Sequence, residues 1–282
     1  MNINTLSRRK FLAMSAVLPL AAQLRAATKI PVGLELYSVR EALKKDLMDT
    51  VRAVAGMGYQ CVEFYAPYFE WTESQTKDVR KLLDDLGIRC YSTHNDSSYF
   101  GPDKIARAAD MNQILGCKYL VMASSTHDPG LDRWKEIAET LDYINDRLER
   151  SGLHAGYHNH QFEFAPQNGV RPIEILAKNT KPSIMLQLDV GTCVEAGSDP
   201  VAWIKANPGR IRSLHLKDWS PDTGKGYSVL FGEGVTPWKE LFAAAESVGG
   251  VEYYLIEQEG SRFSELETAK KCLEAYRATR SS

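Results

Sequence analysis

Short apolar runs rich in β-branched and aromatic residues alternate along this chain with longer stretches in which apolar side chains return every three or four positions. The short runs predict strands at Pro31–Tyr37, Tyr59–Phe64, Arg89–Thr93, Tyr119–Ala123, His154–His158, Ser183–Asp189, Ile211–Leu216 and Val251–Glu257. The periodic stretches predict helices at Val51–Met57, Val79–Leu86, Ile105–Leu115, Trp134–Leu148, Ile173–Lys178, Val201–Ala206, Trp238–Val248 and Leu266–Tyr276. Gly87, Gly116 and Gly152 stand just past helix ends, where a left-handed residue closes the last turn. Strands recurring roughly every 25 to 35 residues fit parallel strands joined by crossover helices. No long Gly/Ser linker interrupts the alternation, which favours one closed (β/α)8 barrel over a doubly wound open sheet. In a barrel the polar residues at the C-terminal strand ends converge on one mouth; in an open sheet they would be strung along a crevice.

Two features outside the pattern change the picture. Ser7-Arg8-Arg9-Lys10-Phe11-Leu12, followed by an apolar run to Ala22, reads as a twin-arginine export signal whose run is too short to span a bilayer. Leu24-Arg25-Ala26-Ala27 places cleavage near Ala26 or Ala27, so residues 1–27 are expected to be removed. Residues 28–282 are then a single periplasmic domain, large enough for a sizeable core. A net charge of −2 gives no electrostatic reason to expect nucleic acid, or a membrane after processing, as partner. Cys61, Cys90, Cys117, Cys193 and Cys272 are odd in number and contain no CxxC, which argues for buried free thiols rather than a disulfide framework or thiolate zinc site.

Chemistry gathers at the strand ends. Tyr157-His158-Asn159-His160-Gln161-Phe162-Glu163-Phe164 holds two histidines two positions apart at the end of the fifth strand, so both imidazoles are expected on one face. Asp189, His215 and Glu257 stand at the ends of the sixth, seventh and eighth strands. A single strand-end histidine is more often structural. Acid or imidazole groups on four consecutive strand ends, however, make a candidate metal site, suited to Mn²⁺, Zn²⁺, Co²⁺ or Fe²⁺ better than to Ca²⁺. Glu63 ends the second strand and His94 the third. Lys217 either stabilises an oxyanion or pairs with Asp218 or another neighbour. Gly232-Glu233-Gly234 reads as a turn lining the mouth, too short for a phosphate-binding fingerprint. His127 and His154 are left out of the site by their positions in a loop and early in a strand.

Gly33-Leu34-Glu35-Leu36-Tyr37-Ser38-Val39-Arg40, Met57-Gly58-Tyr59 with Val62-Glu63, the His-Asn-His stretch, Leu214-His215-Leu216-Lys217-Asp218, and Gly232-Glu233-Gly234 ahead of Trp238 together resemble the sugar phosphate isomerase/epimerase superfamily, which has a xylose isomerase-like TIM barrel. The resemblance runs from about residue 31 to the C-terminus, here behind a twin-arginine signal. It implies one divalent metal, Mn²⁺ or Zn²⁺ first and Co²⁺, Fe²⁺ or Mg²⁺ otherwise, held by His158 (or His160), Asp189, His215 and Glu257. It also implies that Glu63 and His94 hydrogen-bond the sugar. Trp71, Trp219 and Phe231 are candidates for stacking on its ring.

Family enzymes acting on free ketoses place a glutamate on strand five, where this chain has His158. A two-base epimerisation would therefore need another proton carrier, for which His160 is the candidate beside Glu257. The reading is a metal-dependent sugar isomerase or epimerase that abstracts a proton α to a carbonyl through a metal-stabilised enediolate. The missing glutamate brings a lyase or dehydratase performing β-elimination on a 3-keto-sugar or keto-glycoside close to parity with it. A non-catalytic sugar-binding barrel is the further alternative. The partner expected is a small sugar or keto-sugar, and a homo-oligomer is compatible with the sequence.

Overall fold

The computed structural model describes residues 30–125 and 130–281. The export-signal reading and His127 lie outside them. Eight strands follow the sequence pattern: β1 (Val32–Glu35), β2 (Cys61–Phe64), β3 (Arg89–Asn95), β4 (Tyr119–Met122), β5 (His154–His158), β6 (Met185–Asp189), β7 (Ser213–Leu216) and β8 (Tyr253–Ile256). Each pairs in parallel with the next, and β8 pairs with β1, so the sheet closes into a barrel and the open-sheet alternative falls.

Between the strands run α1 (Arg40–Lys45), α2 (Leu47–Met57), α3 (Glu73–Leu86), α4 (Ile105–Leu115), α5 (Leu131–Leu148), α6 (Gln161–Phe164), α7 (Pro172–Asn179), α8 (Val190–Glu195), α9 (Pro200–Ala206) and α10 (Trp238–Ala244), with α11 (Glu265–Ser281) last. None of the described helices is long and apolar enough to cross a membrane.

Boundaries move where local bonding beats hydrophobic period. Sequence pattern carries the first strand to Tyr37, but Leu36–Val39 form a tight 3₁₀ turn whose start is held by the Glu35 side chain accepting from Tyr37 N. Helix α3 starts six residues ahead of the Val79 expected, because Thr72 and Gln75 cap each other's backbone N–H groups across a polar first turn with no apolar rhythm. The expected left-handed closures occur at Gly87, Gly116 and Gly152, with φ of 69°, 78° and 73°. All five cysteines are free and buried.

Strand alternation stacks the barrel interior in levels. Cys61, Tyr119, Val121, Met185, Tyr253 and Leu255 form an apolar plug. Two residues further along their strands, Cys61 gives way to Glu63 and Met185 to Gln187, and these meet Ser92 and Ser213 in a buried polar layer. Another two residues on, Ser92, Gln187 and Ser213 give way to His94, Asp189 and His215. Leu255 likewise gives way to Glu257, and this third level faces the mouth.

Candidate active site

His158 closes β5, Asp189 closes β6, His215 lies one residue before the end of β7, and Glu257 follows β8 directly. Each offers one donor atom to a group whose members all lie within 4.8 Å of one another, and all four residues are buried. His215 Nδ1 is 2.7 Å from Glu257 Oε2, and His158 Nε2 is 3.8 Å from Asp189 Oδ2. Lys217 reaches in from the seventh strand's end, its Nζ 3.3 Å from Asp189 Oδ2 and 3.5 Å from Glu257 Oε1, and pairs with Glu259 as well. Asp189 Oδ2 and the Nδ1 atoms of His158 and His160 are buried without a hydrogen-bond partner. Such atoms are costly unless something completes them.

Burial opposes charge throughout, so neighbours decide the protonation states. At Glu257, Lys217 and His215 outweigh burial and hold the carboxyl well below its ordinary range. Burial also opposes charge on His215, yet Glu257 and Glu63 on its two sides raise it to about 10. His158 has only Asp189, at 3.8 Å, and burial, then His94 and His215, push it well down, leaving a neutral imidazole. Lys217 stays charged because Asp189 and Glu257 overcome its burial.

A cavity of about 290 Å³ opens over this cluster, walled by Glu35, His94, His158, His160, Glu257 and Glu259 among others. Glu35 stands in the sequence only as one residue of the Gly33–Arg40 motif. It is fully buried, its Oε2 lacks a partner, and burial followed by the charges of Glu63 and Glu257 raises its pKa well above the carboxylate range. A larger groove of about 550 Å³, walled by residues such as Arg171, Trp203 and Arg210, contains none of these groups.

Residues 51–279 match the family model described as the xylose isomerase-like TIM barrel. The chain belongs to that family. Among solved structures, a sugar phosphate isomerase/epimerase from Parabacteroides distasonis is 26% identical, with a TM-score of 0.74 over 90% of this chain and 96% of that one. An IolI protein whose structure holds a zinc atom shares the fold, at 16% identity and TM-score 0.69 over 88% of this chain and 97% of its own. Among curated proteins, inosose dehydratase 1 of Bacillus cereus is 27% identical over 191 residues, which is 56% of this chain and 62% of that protein. The match thus spans less than two thirds of that relative's length.

Within this xylose isomerase-like barrel the candidate residues sort by depth. Of the two strand-five histidines, His158 joins the donor group; His160 lies past the strand, ahead of α6, its ring 5.1 Å from that of His158 on the cavity wall. His94 also reaches the wall, its ring stacked 4.7 Å from that of His215. Glu63, expected to meet the sugar, is instead sealed beneath the histidines with no exposed surface, because it lies a full level deeper in the barrel. Trp219 is half-buried and absent from the cavity wall, held through its backbone by Asp218 and Val235. Phe231 packs on Trp238 and Tyr276, and Trp71 on Phe64 and Tyr68, so neither is placed to stack on a ligand in this cavity.

Asp218 does not pair with Lys217. It is buried and accepts from Gly232 N (2.9 Å), Gly234 N (3.0 Å), Thr236 Oγ1 (2.8 Å), Trp238 Nε1 (3.1 Å) and Trp219 N (3.0 Å), tying down the loop after β7. A Cβ on Gly234 would sit 2.2 Å from Asp218 Oδ1, so the approach requires glycine. Asp218→Ala orphans the buried Thr236 and Trp238 donors at roughly 1–3 kcal/mol each and frees the half-exposed glycine amides. A clear fall in denaturant midpoint at unchanged m-value is expected, and an unaltered midpoint would refute this anchoring.

Glu163 carries a pH dependence. Tyr157 Oη and His160 N each donate to it at 2.7 Å, but burial dominates and pushes its pKa up to about 8 from the usual 4.5. The native chain then holds a proton that the unfolded chain releases, so this stability is complete below about pH 4.5 and is lost as pH rises towards 8. Glu163→Gln should flatten that stretch of a Tm-against-pH curve. An equally steep decline in the variant would place its cause elsewhere.

Proposed function

We propose that this chain is a divalent-metal-dependent enzyme that removes a proton α to the carbonyl of a keto-sugar or cyclic keto-polyol and expels a β-hydroxyl as water. The observation that carries this reading is the buried quartet of His158, Asp189, His215 and Glu257 beneath a cavity of about 290 Å³. The quartet fits a cation: two carboxylates and two imidazoles converge, no thiolate is present, and Asp189 Oδ2 lacks a hydrogen bond. Mn²⁺ or Zn²⁺ suits that set. When bound, the metal supplies a Lewis acid for the substrate's carbonyl and hydroxyl oxygens.

The chain's own residues do the proton work. Glu257, ionised beside Lys217 and His215, accepts the α proton, and the C–H electron pair becomes the new double bond. The β C–O bond breaks, and Glu35, on the cavity wall with Oε2 unpartnered, gives its proton to the departing oxygen. Water and an enone result, with Glu257 protonated and Glu35 ionised until solvent restores both. Lys217 offsets negative charge developing next to Glu257.

Elimination is favoured because one base suffices for it, because strand five carries His158 in place of a second carboxylate, and because curated relatives are named inosose dehydratase. Isomerisation or epimerisation is the second reading, supported by the Parabacteroides neighbour's description and by His160, on the cavity wall with its Nδ1 lacking a hydrogen-bond partner, as the other proton carrier. Metal-loaded protein incubated with keto-polyols and 3-keto-sugars should generate an ultraviolet-absorbing enone at a mass lower by one water. Products of unchanged mass would transfer the proposal to isomerisation, and no turnover across both substrate panels would count against proton abstraction itself.

A further inference from the structure

His215 stands between two carboxylates. Its Nδ1 lies 2.7 Å from Glu257 Oε2, on the side of the donor quartet, while Nε2 lies 2.8 Å from Glu63 Oε2, in the polar layer below. Glu63 has no exposed surface, and its oxygens are already surrounded by donors. Ser92 Oγ donates to Oε1, Gln187 Nε2 lies 3.1 and 3.4 Å from the two oxygens, and His94 Nε2 is 3.3 Å from Oε2. Gln187 is itself fixed, its Oε1 2.7 Å from His94 Nε2.

Glu35, Glu63, His94 and His215 also form a group of potential metal donors. A cation there, together with one in the quartet, would require both nitrogens of His215 as ligands and would remove the His215–Glu63 hydrogen bond. A support for the upper site explains the same geometry with every hydrogen bond to Glu63 kept. An imidazole that ligates through one nitrogen is aimed by what its other N–H meets, and a carboxylate in that place also raises its basicity.

We propose that Glu63 is a positioning residue: it accepts Nε2–H of His215, fixes that tautomer, and leaves Nδ1 as the nitrogen presented to a divalent metal. This rests on the metal reading of the quartet proposed above. The polar layer thereby acquires a function, setting the orientation of a ligand it never shares with substrate.

The test uses the full chain loaded with Zn²⁺. Nitrogen-15 NMR of labelled histidines should show one imidazole with coordinated Nδ1 and a protonated Nε2, and His215→Gln should remove that signal. A coordinated Nε2 with protonated Nδ1 in the signal that His215→Gln removes would overturn the proposal without any variant of Glu63 having to fold; His158, whose Nε2 faces Asp189, is expected to give that pattern in both proteins. Chelator competition should show Zn²⁺ held about 10- to 100-fold more weakly in Glu63→Leu. Glu63→Gln, which keeps an acceptor oxygen, should recover part of that loss. Equal affinity in wild type and a folded Glu63→Leu would sink the positioning role, and two tightly bound equivalents in wild type would assign Glu63 to a second cation instead. Failure of wild type to take up Zn²⁺ at all would defeat the metal reading beneath it, a result distinct from uptake with the reversed tautomer.

Discussion

Asp189→Asn is expected to bind a divalent metal more than about 100-fold more weakly than wild type while still folding, at an unfolding temperature lowered by loss of its ion pair with the buried Lys217. The magnitude follows from comparison: loss of a group that merely orients a ligand costs about 10- to 100-fold in affinity, and loss of a ligand should cost more. The choice of asparagine follows from what Asp189 does besides pairing with Lys217. Its Oδ1 accepts from Thr192 N at 2.9 Å and caps α8, and its Oδ2 faces the quartet without a hydrogen bond. Alanine would remove both, mixing about 1 kcal/mol of lost capping into the result. Asparagine keeps the cap and removes only the charge and one oxygen. Chelator competition and thermal unfolding of the metal-free proteins report the two effects separately. Wild-type affinity in Asp189→Asn would mean that the quartet is not where metal binds.

The strands that carry the quartet were legible because each is a short apolar run closed by one acid or imidazole, a contrast visible without any structure. The barrel then follows, since eight such units joined by helices close one sheet. Depth was less legible. Glu63 and Glu257 both stand near strand ends, yet β1 through β8 are staggered around the barrel, so one is roofed over and the other meets the cavity. A residue count along a single strand does not contain that stagger. Glu35 escaped for a related reason: it ends a strand too short to show alternation, and only closure of β8 onto β1 brings it near Glu257. His160 reached the cavity by a route other than the expected one, since β5 ends at His158 and the turn into α6 aims its ring. Aromatic residues gave the poorest guide, because Phe231 and Trp71 satisfy the packing of helices and strand outside the barrel.

Glu257→Gln should lower the rate of α-proton removal by on the order of 10²- to 10⁴-fold, the usual contribution of a positioned general base. The amide retains an oxygen for His215 Nδ1, now 2.7 Å from Glu257 Oε2, so the quartet's geometry should survive better than in an alanine variant. Metal affinity has to be measured alongside, because the same carboxylate stands in both the metal quartet and the proton path. A variant that retains metal and substrate binding yet loses rate identifies the base; a loss of rate that tracks loss of metal does not. Substrate deuterated at the α carbon should react more slowly in wild type if breaking that C–H bond limits turnover. His158→Glu supplies the complementary gain-of-function test. It puts a carboxylate at the strand-five position of the same donor group as Glu257, and should raise the yield of epimer or isomer relative to enone if the absence of that group is what favours elimination. Elimination and isomerisation in unchanged ratio would show that the strand-five residue does not set the reaction's outcome, and attention would pass to Glu35 and His160 on the cavity wall.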